Sequence, residues 1–559
     1  MGSSCVIETI IAASSKTNER LIWCNQHNQY EESDRLQVLE KSAVCAYNLT
    51  QKGIEREDIV ALMLPQGTEL IQTWLACLIL GAIPTILPPP NDRQSPALWQ
   101  LNLQHIVQYT GAKALICSPD FVVPSADVGR EDGSFVSLFI STALYIGPRS
   151  LPVYCSSEEQ TVLLQHSSGT TGLQKGIALT NDSILTQVDL YGQSIQLNPL
   201  ADKIISWLPL YHDMGLVACL LMPLITGTEL IFMDNFAWAL QPTLLFQAIS
   251  HYRASLCWMP NFAFNFLASR ITPEQKSEIN LESIRLWINC SETVRHESFV
   301  KFADSFYQQS INQATLSSCY AMAENTFAVT QSQPGFYPKT AIFSPEHNRL
   351  INPSEKTIYQ KNQLLVSSGT PLPHHCLRIV DENGHEIAEG HMGEIIINSP
   401  CLMRGYFGRP DLTIRAITEG WYSTGDLGIL YQGELYVCGR KKDLIVIAGK
   451  NIFPEDVEIV TNEVTGVPAG RSVAFGCFDE SEGTEQLIVL AEHLHRKEPD
   501  AAERRSIIRK IKKSLSDKMG FTAKEVHLLS PRSLIKSSSG KISRQRCQQL
   551  YEEQLNQKA

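Results

Sequence analysis

From Leu36 to Leu49 apolar residues recur at helical spacing, and Gly53 marks a stop before the unbroken apolar run Ile59-Val60-Ala61-Leu62-Met63-Leu64, which reads as a strand. The alternation repeats. Glu69 to Leu80 and Gln100 to Gly111 have helical spacing, and Ala114-Cys117 is again strand-like. Further on, Thr161-Leu164 predicts a strand, Ser183 to Leu197 a helix, Ile204 to Leu208 a strand ending at Pro209, Ala218 to Thr226 a helix and Thr228 to Met233 a strand, with similar units to Ile288. Helices alternating with short apolar strands in this way favour parallel sheets.

The pattern changes beyond residue 330. From Gln333 to Asn362 it lapses into Pro, Asn, Lys and Glu, which predicts an insertion too irregular for a core element. Asp127 to Ser134, charged and Gly-containing, predicts a loop. Between Leu364 and Ile397 short alternating runs split by Asp381-Glu382-Asn383-Gly384 predict antiparallel hairpins. The strongest boundary signal is Gly439-Arg440-Lys441-Lys442-Asp443, a charged stretch after the strand Glu434 to Cys438. It divides the chain into a large lobe, 1–439, and a smaller one, 440–559, with a charged helix near Glu503 to Met519 and a polar tail.

With 559 residues and 43% apolar content the chain can bury more than one core. A net charge of -11, with no long basic run interleaved with aromatics, argues against nucleic acid or an anionic membrane as the main partner. The most apolar segment, Trp74 to Leu87, is broken by Gly81 and Pro84, so no membrane insertion is expected. Fifteen scattered cysteines without a Cys-x-x-Cys pair predict a reducing, cytoplasmic setting, and the N-terminus carries no convincing export or lipidation signal.

Candidate chemistry begins at Gln165-His166-Ser167-Ser168-Gly169-Thr170-Thr171-Gly172-Leu173-Gln174-Lys175, a polar Gly-rich loop directly after the Thr161 strand. Glycines let backbone N–H groups approach phosphate oxygens, Ser167, Ser168, Thr170 and Thr171 offer hydroxyls, and Lys175 supplies charge. The Walker A spacing is absent, and in isolation an ordinary surface turn explains the composition equally well.

Further stretches follow in order: Trp207-Leu208-Pro209-Leu210-Tyr211-His212-Asp213-Met214-Gly215-Leu216, Tyr320-Ala321-Met322-Ala323-Glu324-Asn325-Thr326, Tyr422-Ser423-Thr424-Gly425-Asp426-Leu427-Gly428, and Gly439 to Glu458 paired with Ser537-Ser538-Ser539-Gly540-Lys541-Ile542. With the loop, they make the chain resemble the adenylate-forming superfamily of acyl-CoA synthetases, peptide-synthetase adenylation domains and luciferases. The His212-Leu216 run, Pro260-Asn261-Phe262-Ala263, Gly439 to Ile445 and the insertion resemble most the fatty acyl-AMP ligases and stand-alone carrier-loading ligases. The resemblance implies an α/β fold: a large N-terminal lobe of α/β subdomains plus a distorted β-barrel, and a small mobile α+β C-terminal domain.

It also implies ATP and Mg2+ as cofactors, a carboxylic acid substrate, and an acyl or peptidyl carrier protein acting in trans. By resemblance Ser167, Ser168, Gly169, Thr170, Thr171, Gly172 and Lys175 bind phosphate, and Tyr320 with Ala321 walls the adenine, where the family usually has Gly in place of Ala321. Asp426 accepts from the ribose hydroxyls, Arg440 assists at ribose or phosphate, and Glu324 holds Mg2+. Lys541 bridges carboxylate and α-phosphate, His212 borders the acyl pocket, and Lys442 is the hinge.

Each has a plainer explanation: a solvated tail lysine for Lys541, a helix-start carboxylate for Glu324, a core tyrosine for Tyr320, a turn aspartate for Asp426. Asp213, Trp258, Asn261, Phe262 and Asn289 are candidate pocket residues, equally plausible as core. Asp213 leaves open an amino-acid substrate, whose ammonium it would pair. The same motifs would also serve a CoA ligase of this fold, or a non-catalytic protein that only binds an adenylate.

Overall fold

A computed structural model describes residues 5–16, 20–25, 27–90, 96–119, 136–139, 153–154, 157–166, 175–344, 347–351, 363–447, 450–479, 484–494, 499–536 and 542–556. The loop expected at Asp127 to Ser134, the phosphate-loop candidates Ser167 to Gly172, and Lys541 lie outside the described residues.

The largest sheet has nine strands, in the order Thr370–Pro371, Ala328–Gln331, Leu316–Ala321, Leu286–Asn289, Leu256–Met259, Lys203–Ser206, Glu229–Met233, Arg20–Cys24 and Tyr30–Asp34. Its six central strands run parallel, and only the edges are antiparallel. A parallel strand covered by helices on both faces reads as a continuous apolar run. A second, four-stranded parallel sheet is built around Ile59–Met63, buried throughout its length. Helix Thr68–Leu80 feeds its neighbour Ile83–Ile86 through Gly81, whose φ of +82° closes the helix in the left-handed region.

Antiparallel sheets complete the larger lobe. Thr161–His166 pairs with Gly176–Thr180, which also pairs with the two-residue strand Gly405–Tyr406. Cys376–Val380, Gly393–Asn398, Trp421–Tyr431 and Glu434–Arg440 form a second antiparallel array. The hairpin expected across Asp381 to Gly384 is there: the flanking strands pair, and the Asp381 carboxylate accepts from the Asn383 and His385 N–H groups.

The structure differs from the sequence reading in two places. Residues 340–344 and 349–351 are not irregular: Thr340–Ser344 pairs with Arg349–Ile351 and with Gln363–Val366, and Phe343 is fully buried in the sheet's core, while residues 345–346 and 352–362 lie outside the described ones. The helix expected at Ala218 begins at Met214, because the Asp213 carboxylate accepts the Met214 N–H at 2.8 Å and caps it; its first eight residues are π-helical and Met222–Thr226 is α-helical.

One apolar core runs from Cys5 to Leu435, and a separate one, from Ile445 to Leu528, lies beneath the antiparallel pair Ser472–Asp479 and Thr484–Glu492, helix Pro454–Asn462 and helix Ala501–Met519. Between them the side chain of Phe453, from the smaller lobe, enters a third cluster with Phe343, Ile429 and Tyr436 of the larger one.

Candidate active site

A cleft of about 2760 Å3 opens between the two lobes, and His212, Tyr320, Ala321, Asp426, Arg440, Lys442, Asn261 and Phe262 line it. Tyr320 stands near the end of strand Leu316–Ala321, and its hydroxyl donates to Asp426 Oδ2 at 2.7 Å. Asp426 lies opposite Arg440 in the register of two paired strands, with Arg440 Nε 3.4 Å from Oδ1. Thr424 Oγ1 accepts the Asp426 N–H at 3.0 Å and fixes the turn. Burial raises the Asp426 carboxyl above its ordinary range, while Arg440 and the Tyr320 hydroxyl hold it back.

Glu324 sits on a short helical turn, and its carboxylate accepts from the Tyr406 hydroxyl at 3.2 Å. Burial raises its pKa, against the pull of Arg440. The Tyr406 ring carries Lys175 Nζ on its face, 4.7 Å from the centroid, so the last residue of the Gly-rich stretch and Glu324 meet through one tyrosine. Sequence reasoning missed Tyr406, whose strand is only two residues long.

His212 Nδ1 lies 2.6 Å from Asp213 Oδ1. The Asp213 carboxylate is therefore engaged by the imidazole and by the Met214 N–H, and it is not among the groups that line the cleft. Trp258 and Asn289 are corrections to the expected pocket. Both sit in central strands of the nine-stranded sheet and are fully buried; the Trp258 indole donates to the Tyr191 hydroxyl at 2.8 Å. Asn289 Nδ2 donates to Asn261 Oδ1 at 3.0 Å, and that oxygen also accepts the Arg295 N–H at 3.1 Å, so Asn289 props the cleft wall from behind.

At the lobe junction Lys442 is pushed down to about 8 by burial, with Arg440 and Arg544 adding to the fall and Asp443 opposing it. Arg544 reaches Asp443 at 2.7 Å, Glu455 at 3.0 Å and Glu458 at 2.9 Å, so the residue three places beyond Lys541 is tied to the junction by three carboxylates. Across the lobes Arg295 Nη1 pairs with Asp456 Oδ1 at 2.9 Å, and Asn451 Nδ2 donates to Asn348 Oδ1 at 3.2 Å.

The profile of the AMP-binding enzyme family matches residues 19–407, well over half of the chain. The chain belongs to the AMP-binding enzymes. Among curated members of this ligase family it is similar to a long-chain-fatty-acid–AMP ligase of Mycobacterium marinum, 29% identical over 546 residues, covering 92% of this chain and 90% of the relative. The 4-hydroxyphenylalkanoate adenylyltransferase of Mycobacterium tuberculosis is 28% identical over 513 residues, with 87% and 81% covered. Among solved structures, one from studies of fatty acyl-adenylate ligases of E. coli and L. pneumophila superposes with a TM-score of 0.90 at 25% identity, over 99% of this chain and 98% of that one. The McyG A-PCP protein with phenylalanyl-adenylate superposes with a TM-score of 0.86 at 22% identity, over 99% and 84%, a likeness of fold. Like these relatives, this AMP-binding enzyme has a large N-terminal and a smaller C-terminal domain of mixed α/β content.

Among the described residues no group of three or more His, Cys, Asp or Glu side chains is arranged to hold a metal. A single desolvated carboxylate beside a polyphosphate site still fits Mg2+, which binds through one or two carboxylates plus substrate phosphates. Glu324 is a desolvated carboxylate that shares Tyr406 with Lys175, which fits such a ligand, although it is not among the groups that line the cleft. No helix of the described residues is long and apolar enough to cross a membrane.

Proposed function

We propose that the enzyme joins a carboxylic acid, most suitably a fatty acid, to the α-phosphate of ATP with release of pyrophosphate, and then passes the acyl group to the phosphopantetheine thiol of a separate carrier protein. The observation that carries this reading is the Tyr320–Asp426–Arg440 constellation in the same cleft as His212. A carboxylate fixed by a hydroxyl donor and a guanidinium can accept the ribose hydroxyls, and the Tyr320 ring beside it offers a face to adenine. Adenylation brings two anions together, so the site must neutralise charge and hold the reactants in line. In this scheme Lys175 and the hydroxyls of Ser167 to Thr171 hold the phosphates, Arg440 faces ribose or α-phosphate, and Lys541 bridges the reacting oxygens. Glu324 would hold Mg2+, which when bound supplies Lewis-acid neutralisation of phosphate charge.

The smaller lobe then turns about Lys442 and admits the thiol, a domain motion of the kind that sets many turnover rates. The names of the fatty-acid and hydroxyphenylalkanoate relatives support an acid without an α-amine. The place of Asp213 supports it too, because pairing with a substrate ammonium needs that carboxylate in the cleft, and Asp213 is not among the groups that line it.

Pyrophosphate release from ATP and Mg2+ across fatty, aryl and amino acids, without a thiol, is the test. Release with fatty acids, abolished in Lys541→Ala while ATP still binds, is the expected result. Unchanged release in Lys541→Ala would overturn the mechanism. Thioester formed with CoA as readily as with a phosphopantetheinylated carrier would overturn the choice of acceptor.

A further inference from the structure

Two helices at one side of the cleft leave large apolar side chains in the open. On helix Asn235–Leu240, Phe236 is 48% exposed and Leu240, four residues on, is 88% exposed; on helix Asn261–Arg270, Phe262 is 44% exposed. Scattered singly, such residues need no explanation. Here they flank one aromatic floor. Trp207 and Trp238 stack face to face with centroids 3.5 Å apart, Phe262 lies edge-on to Trp207 at 6.3 Å, and Phe266 packs on Trp238 at 5.4 Å. Phe262, Phe266 and Arg270 follow at four-residue intervals and so form a stripe along one face of their helix. Arg270 closes it, its guanidinium 5.6 Å from the Phe266 centroid, and has no carboxylate partner among the described residues.

All of these residues line the same cleft as His212 and Tyr320. We infer that the space between helices Asn235–Leu240 and Asn261–Arg270 is a solvent-open trough that takes the distal part of the activated acid's apolar chain, with Phe236 and Leu240 as its outer wall and Arg270 as its end. The inference rests on the adenylation reading and adds which residues select chain length. Continuity with the site argues for the substrate's own tail as the occupant. From Phe262 to Arg270 the stripe spans eight residue-to-residue steps, about 12 Å of helix at about 1.5 Å per step. Each methylene laid in it is worth about fourfold in affinity, the equivalent of about 0.8 kcal/mol per buried CH2.

The test is kcat/KM for pyrophosphate release across saturated acids of increasing length, in the full-length enzyme and in Leu240→Asp and Phe236→Ser. Both positions are exposed enough for the variants to fold, and the shortest accepted acids serve as the internal check. For the wild type, kcat/KM should climb with length and then level off. In the variants the short acids should stay within about twofold while the longest fall at least tenfold, flattening the climb. Arg270→Glu should leave saturated acids nearly unchanged and lower kcat/KM for acids with a distal carboxylate. Variants that lower every length equally, or none, overturn the trough. A wild type indifferent to length overturns it while leaving adenylation intact, and a wild type that releases pyrophosphate with no carboxylic acid overturns both.

Discussion

Replacing Arg295 by Met probes how the two lobes are held together. The Arg295–Asp456 pair is 2.9 Å long, and only 17% and 13% of its side chains are exposed. At an effective dielectric of 20 that distance corresponds to about 6 kcal/mol of attraction, much of it offset by the cost of desolvating both ions. What matters is the partner left behind. Without Arg295 the Asp456 carboxylate keeps the Gln363 side chain as a donor but remains a desolvated anion, a situation that costs about 3–5 kcal/mol in a rigid core. Here the strain has an outlet, because the pair spans two lobes and the smaller one can turn away. Even 3 kcal/mol would shift the balance of lobe orientations by about a hundredfold, at 1.4 kcal/mol per tenfold.

Single-pair fluorescence transfer between dyes on the two lobes should therefore show this orientation depleted in Arg295→Met and in Asp456→Leu, and partly restored in the double variant, which leaves no unpaired charge. Burial already raises the Asp456 pKa, and Arg295 is the main group holding it down. In Arg295→Met the carboxylate should therefore protonate at higher pH, so acidification should return the lobe toward its wild-type distribution. Distance distributions identical in wild type and both single variants, or single effects that simply add, would refute this coupling.

Three further outcomes are expected. Asp426→Ala removes a carboxylate held by Tyr320 and Arg440; at about 1.5–3 kcal/mol per charged hydrogen bond it should weaken ATP binding about 10- to 100-fold by calorimetry, and unchanged binding would remove Asp426 from the nucleotide site. Gly215→Ala places a Cβ 2.3 Å from the Pro209 carbonyl oxygen, so backbone must move, and urea denaturation should show a loss of about 1–3 kcal/mol; full stability would mean the His212 turn is plastic. Burial lowers the His166 imidazole from 6.5 to about 4. The unfolded chain then takes up the proton first as pH falls, so this contribution is whole above pH 6.5 and is lost toward pH 4, up to about 3 kcal/mol. Melting temperature against pH should be flatter over that window in His166→Gln, and parallel profiles would contradict the assignment.

The α/β alternation was legible because the strands that matter most are covered on both faces. Ile59–Met63 and Glu229–Met233 are buried at every position, so Ile59–Met63 and Leu230–Met233 appear in the sequence as unbroken apolar runs. Candidates for the site could be named where a motif keeps its residues close, as at Tyr320 and Glu324. Composition failed where core and pocket use the same residue types. Trp258 and Asn289 have the aromatic and amide character of a pocket, yet each is fully buried and hydrogen-bonded to a neighbour behind the wall. The strand Thr340–Ser344 went unread because it is only partly buried and gives no unbroken apolar run, and its pairing partners come later in the chain. Arg295 and Asp456 are separated by a lobe boundary, so no local pattern could join them.

The same limit explains Tyr406, and its position bears on the chemistry. A two-residue strand places its hydroxyl 3.2 Å from Glu324 and its ring under Lys175. Glu324 and Asp426 are both desolvated carboxylates that draw on the one guanidinium of Arg440. Arg440 lies close enough to Asp426 to be largely committed there, which leaves Glu324 with a phenol for a partner and a raised pKa. In the proposed scheme polyphosphate arriving beside Lys175 would add negative charge to this corner. A small hard cation held by Glu324 would offset that charge. It would also hold Glu324 ionised against the burial that now favours its proton.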